Sequence, residues 1–163
     1  MATVYRVIAI VIAALVGLQA ASHAWVSAGL GLFIERGGVI DKAFLESAGA
    51  DGTLPFPEMV GFMIHGMNGM IVIPIVTLLL LVASFFVGAR RAVIWAAVVA
   101  ALVALQVTLG LNGHGMPMLA FLHGINALLL FGSAVFAVRA ARTSKNPMTG
   151  TATQARSSVH AEA

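Results

Sequence analysis

The chain has 163 residues, 60% of them hydrophobic and only 9% charged, with a mean hydropathy of +1.00. That balance excludes a water-soluble globular domain and requires lipid as solvent. A net charge of +3 and a pI near 10.2 would suggest nucleic acid in a soluble protein, but here the bases sort by position along the chain. There is no cysteine, which excludes disulfides, iron–sulfur ligation and thiolate metal sites.

The apolar runs predict an all-α integral membrane four-helix bundle occupying residues 1–142, with spans at about 4–33, 59–87, 93–111 and 118–138. Each is near or above the roughly 20 residues that cross a 30 Å hydrocarbon core. In the first span, Arg6, an apolar run and Ala21-Ser22-His23-Ala24 imitate a cleavable signal peptide. The run continues through Trp25 to Phe33, however, which favours a retained helix. The loop 34–58 is long enough to need structure of its own. Asp41 should cap a short helix there, with Val39, Ile40, Phe44 and Leu45 making apolar contacts and Gly49 stopping it, laid over the mouth of the bundle. Leu54-Pro55-Phe56-Pro57 then stiffens the approach to the second span.

Along the second span Met59, Met63, Met67 and Met70 recur at helical spacing, a pattern of flexible packing. Pro74 should kink this helix near its middle. Gly88-Ala89-Arg90-Arg91 turns the chain into the third span, Asn112-Gly113-His114-Gly115 into the fourth. Residues 143–163 are rich in Ser, Thr, Ala and Gly without periodicity and read as a disordered tail. Arg6, Arg90, Arg91, Arg139, Arg142, Lys145 and Arg156 lie at one set of span ends, and five of the six acids lie in the 34–58 loop. By the positive-inside rule both termini face the cytoplasm and the acidic loop lies outside, in a multi-pass protein of the cell membrane. Tyr5 and Trp95 sit near the cytoplasmic boundary, where amphipathic rings are favoured.

Two strings recur. Ala14-Leu15-Val16-Gly17-Leu18-Gln19 of the first span returns as Ala101-Leu102-Val103-Ala104-Leu105-Gln106 in the third, and Ile64-His65-Gly66-Met67-Asn68-Gly69 of the second as Leu122-His123-Gly124-Ile125-Asn126-Ala127 in the fourth. Gln, His, Gly and Asn in the same order are informative where apolar matches are not. The reading is two parallel hairpin repeats related by an axis along the membrane normal. Counted from Pro57 and Pro117, His65 and His123 lie roughly 9–12 Å inside the outer boundary, at a common depth.

A histidine pair at matched depth suits the two axial positions of one haem b. Gly61 and Gly69 beside His65, and Gly124 and Ala127 beside His123, would let a flat macrocycle approach the backbone. Asn68 and Asn126 could bond a ligand's second nitrogen or a haem propionate, and Arg36 or Lys42 from the loop could meet propionates at the membrane surface. His114 could meet a haem edge, and His23 falls in the same layer. Two other readings stand beside this one. His, Asn and Gln could be interhelical glue in a non-catalytic membrane subunit or scaffold. Alternatively, His23, His65 and His123 could hold copper or zinc in a metal-binding membrane protein. The partners expected are the lipid bilayer, with a redox partner, a larger membrane complex or a second copy of the chain, and no nucleic acid.

Leu105-Gln106, Leu109-Gly110, His114-Gly115-Met116-Pro117 and Leu122-His123-Gly124 with Ala127 resemble the second half of the haem A synthase family. The resemblance covers about 100 residues from Gln19 to Phe131, the loop excluded. That family is built of two four-helix halves with histidine ligands on the second and fourth helices of each. The resemblance implies that His65 and His123 form the axial pair of one haem in a single half standing alone. The chain departs from the family's catalytic half in having no acid within a span and no cysteine, so a haem-binding chain without the synthase reaction, and without catalytic residues of its own, is expected. The chain also looks like uncharacterised small four-helix membrane proteins of high-GC bacteria.

Overall fold

The structure, a computed structural model, describes residues 1–47, 53–113 and 115–141. The expected Gly49 stop, His114 and the 143–163 tail lie outside them. Within the described residues four helices are long and apolar enough to cross a membrane: Ala2–Glu35, Pro57–Phe85, Arg90–Asn112 and Pro117–Ala140. The architecture is that of a multi-pass membrane protein. These bounds lie within three residues of the expected spans at every end.

Local chemistry sets where the helices stop and start. Helix α1 (Ala2–Glu35) ends where Gly37 takes φ +89, a left-handed conformation costly for a residue with a Cβ. The Gly38 amide then donates to the Phe33 carbonyl and the Gly37 amide to that of Ile34, both at 2.9 Å, which closes the last turn. A short helix, α2 (Lys42–Ser47), follows, with the Phe44 amide donating to Asp41 Oδ1 at 2.8 Å as the expected cap. Phe33 gathers Phe44 and Phe56 at ring-centre distances of 5.4 and 5.5 Å, so the loop is tied down through aromatic rings. Val39 and Ile40 do not join this contact: they are 69% and 36% exposed, because they precede the Asp41 cap instead of lying on the helix face.

The second span begins with a tight turn at Pro57–Met59 and runs as α3 (Val60–Met67), a π-turn at Asn68–Val72, and α4 (Ile73–Phe85). Phe56 and Met116 are both extended, as a residue before proline must be, and Pro57 and Pro117 each open a helix. Pro74 has no amide hydrogen, so the carbonyl four residues back loses its partner. A wide turn at Asn68–Val72 stands just before Pro74. Gly88, at φ +72, turns the chain into α5 (Arg90–Asn112), and α6 (Pro117–Ala140) follows.

Helix α1 lies between α3/α4 and α6, while α5 lies between α4 and α6, which closes the spans into a ring. Its apolar core is at the end carrying Tyr5 and Arg90. There Tyr5, Ile12, Leu80 and Val99 are fully buried among Ala9, Ala92, Ala96, Ala134 and Ala137. Such small residues let helix backbones approach closely when lipid gives no hydrophobic drive. The Tyr5 hydroxyl donates to the Ala92 carbonyl at 2.9 Å, a buried bond from α1 to the start of α5. Outward-facing positions such as Ile10, Leu78 and Leu128 stay exposed and apolar, as a lipid-facing surface requires.

Burial follows matching spacings. Tyr5, Ala9, Ile12 and Val16 are buried in α1, and Ala92, Ala96, Val99 and Val103 at the same intervals in α5. Asn126, Leu130, Ala134, Ala137 and Ala141 are buried in and just after the fourth span, and Asn68, Ile73, Thr77, Leu80 and Ser84 in the second span. These last two series keep step except between Asn68 and Ile73, where the π-turn inserts one more residue.

Candidate functional site

On the far side of Asn68 and Asn126 the interior changes character. His65 on α3 and His123 on α6 bring their rings to a centre-to-centre distance of 6.2 Å, tilted by 46°. Both rings are anchored alike. His65 Nδ1 lies 3.2 Å from the Gln19 carbonyl oxygen, and His123 Nδ1 lies 3.0 Å from that of Gln106. A carbonyl oxygen only accepts, so each Nδ1 carries the proton and each Nε2 is left as the basic nitrogen. Neither Nε2 has a hydrogen-bond partner among the described residues. A backbone carbonyl on Nδ1 with Nε2 free is the arrangement that fixes tautomer and ring orientation for metal ligation.

The amides beneath the histidines are also used alike, and differently from expectation. Asn68 donates to the Leu15 carbonyl at 3.1 Å, and Asn126 to the Leu102 carbonyl at 2.9 Å. They tie the second and fourth spans to the first and third, and the role expected of them at the histidines' second nitrogens falls to the Gln19 and Gln106 carbonyls. Gln106 adds two bonds, donating to the His123 carbonyl at 3.1 Å and accepting from Asn126 at 2.6 Å. Gln19 Oε1, Asn68 Oδ1 and Asn126 Oδ1 are buried without a hydrogen-bond partner among the described residues. This layer therefore keeps spare acceptor capacity for water or a bound group.

The glycines divide into two kinds. Gly61 and Gly69 face α1: a Cβ on Gly61 would meet Val26 and the Ser22 carbonyl, and one on Gly69 the Gln19 amide. They permit helix contact and border no slot. Gly124, and Gly66 after His65, have nothing within 4 Å of where a Cβ would stand. Gly66 was not singled out in the sequence, although its place directly after a histidine matches that of Gly124. Ala127 is half-buried one turn beyond His123.

His23 joins the cluster from α1. Its ring centre is 5.6 Å from that of His65 and 6.3 Å from that of Phe62. Among the described residues no three His, Cys, Asp or Glu side chains gather around a point where they could hold a metal ion. Lys42 pairs with Glu46 at 3.6 Å, and Arg36 lines a surface recess with Phe33, Phe56 and Glu58. No family model, no curated protein and no solved structure matches this chain.

Proposed function

We propose that the protein is a small membrane cytochrome of the b type, holding one haem through His65 and His123, for electron transfer or haem retention near one membrane face. The observation that carries this reading is the pair of carbonyl-anchored imidazoles with free Nε2 atoms and ring centres 6.2 Å apart. Two imidazoles sharing one metal ion through bonds of about 2.0–2.1 Å have ring centres roughly 6 Å apart. Gly66 and Gly124, directly after each histidine, are exposed with nothing within 4 Å of where a Cβ would stand, so the backbone next to each ligand is uncovered. His65 and His123 would hold the haem, which would supply a one-electron couple. The protein's own part is to hold the Nδ1 protons on Gln19 and Gln106 and to keep both rings at one depth.

The matched burial intervals and the paired Gln, His and Asn contacts also support two parallel hairpin copies about an axis along the membrane normal. With the basic ends in the cytoplasm, the histidines lie in the outer half of the bilayer. The resemblance to one half of haem A synthase agrees with this reading in its ligand positions and gives it no reaction.

A second reading has its own support. The Asn68, Asn126 and Gln106 bonds to backbone carbonyls join helices whether or not a ligand is present, so the layer could act as a polar clasp in a scaffold subunit. Haem content decides between the two. The full-length protein from haem-replete cells should contain about one haem per chain by organic extraction, and His65→Ala and His123→Ala should each lower it to near zero. A purified wild-type protein with no extractable haem would favour the clasp.

A further inference from the structure

The other end of the bundle carries a pocket that the haem reading does not use. Between the start of α5 and the end of α6, Arg91, Ile94, Trp95, Phe136, Arg139 and Ala140 line a recess of about 280 Å³. Trp95 and Phe136 stack on each other along its wall, with ring centres 5.1 Å apart and planes 22° from parallel. The Arg139 guanidinium sits 5.9 Å from the centre of the Phe136 ring, close enough for a cation–π contact that fixes the fork in place. Arg91 and Arg139 are exposed, and no carboxylate among the described residues pairs with either. None is near in sequence: the chain has no acid between Glu58 and Glu162. Helix α5 also begins here without a side-chain cap.

We propose that this recess binds the phosphodiester headgroup of an anionic phospholipid such as phosphatidylglycerol. The two planar guanidinium forks match phosphate oxygens and resist desolvation less than ammonium groups do. The Trp95–Phe136 stack is an apolar, interface-seeking wall against which the glycerol and upper acyl segments lie. Basic pockets between spans at a bilayer surface are suited to such lipids because the headgroup charge is met where the acyl chains are still in hydrocarbon. The inference rests on the bundle crossing a bilayer and is independent of haem.

The test uses the full-length protein in detergent, stripped of co-purified lipid and titrated with phosphatidylglycerol or phosphatidylcholine of the same acyl chains, with bound lipid counted by native mass spectrometry. Inorganic phosphate is a third arm. The first phosphatidylglycerol should bind roughly 10- to 30-fold more tightly than phosphatidylcholine. Arg91→Gln with Arg139→Gln should remove that preference and leave phosphatidylcholine binding as it was, whereas Arg36→Gln at the opposite end should change neither. Should the double variant not fold, Arg139→Lys keeps the charge but loses the stacked fork and should weaken phosphatidylglycerol binding by about threefold. Unchanged binding in the Gln variants, or in Arg139→Lys where that is the variant read, overturns the proposal, as does inorganic phosphate binding as tightly as the lipid.

Discussion

The two halves of this bundle solve opposite problems with nearly the same set of helices. In the half around Tyr5 and Leu80 the interior is sealed: alanines at the crossings bring the helices together, and Tyr5, Ile12, Leu80 and Val99 have no exposed surface. Beyond Asn68 and Asn126 the lining turns to His, Gln and Asn. His65, His123, Gln19 and Gln106 are all only half-buried, and three amide oxygens lack partners among the described residues. In the sealed half the second span packs through α4 on both α1 and α5, while in the open half its α3 packs on α1. The π-turn at Asn68–Val72 lies at the junction, where the span passes from one arrangement to the other. One half supplies cohesion, and the other is more polar and less closely packed.

The strongest way to break this division is to remove the histidines. His65→Ala or His123→Ala should abolish haem retention while far-ultraviolet circular dichroism stays within about a tenth of wild type, since the sealed half does not depend on them. Global loss of helix in both variants would mean that the halves are not separable. Next in size are substitutions that fill sealed contacts. Ala96→Leu and Gly61→Ala should each destabilise by about 1–3 kcal/mol in reversible detergent unfolding, because Ala96 is fully buried and a Gly61 Cβ would meet the Ser22 backbone.

Removing single interhelical hydrogen bonds should do less. Asn68→Ala and Tyr5→Phe, which each remove one such bond, should cost about 0.6–2 kcal/mol in the same assay, and Asn126→Ala, which removes two, should lie at the upper end of that range. The smallest effect is expected at the open glycines. Gly66→Ala and Gly124→Ala should change stability of the ligand-free protein by no more than about 1 kcal/mol, in the stabilising direction, since alanine is the better helix former and nothing is displaced. A large loss at either glycine would show that these exposed positions are covered by protein.

Much of this was legible in the sequence. The four runs, the Pro57 and Pro117 starts, the Asp41 cap and the recurrence of Gln, His and Asn all rest on local rules or on polar residues rare enough to be noticed. What the sequence hid was rotation. A helix that is apolar all round gives no sign of which face meets a neighbour and which meets lipid, so Gly61 and Gly69 could not be told from Gly66 and Gly124. The π-turn was equally hidden: Pro74 announces a disturbance, but only the packing of Asn68 and Ile73 decides that one extra residue is accommodated ahead of it. The Gln19 and Gln106 carbonyls were invisible for another reason, as a backbone acceptor leaves no mark in residue identity.

The central claim, that the open half holds haem between two imidazoles, is most directly met by the optical spectrum of the purified full-length protein, oxidised and then reduced with dithionite. A strong near-ultraviolet band that sharpens on reduction, with the paired visible bands of six-coordinate low-spin iron, is the predicted result. A colourless protein from haem-replete cells, or a high-spin spectrum unaffected by His65→Ala and His123→Ala, would contradict it.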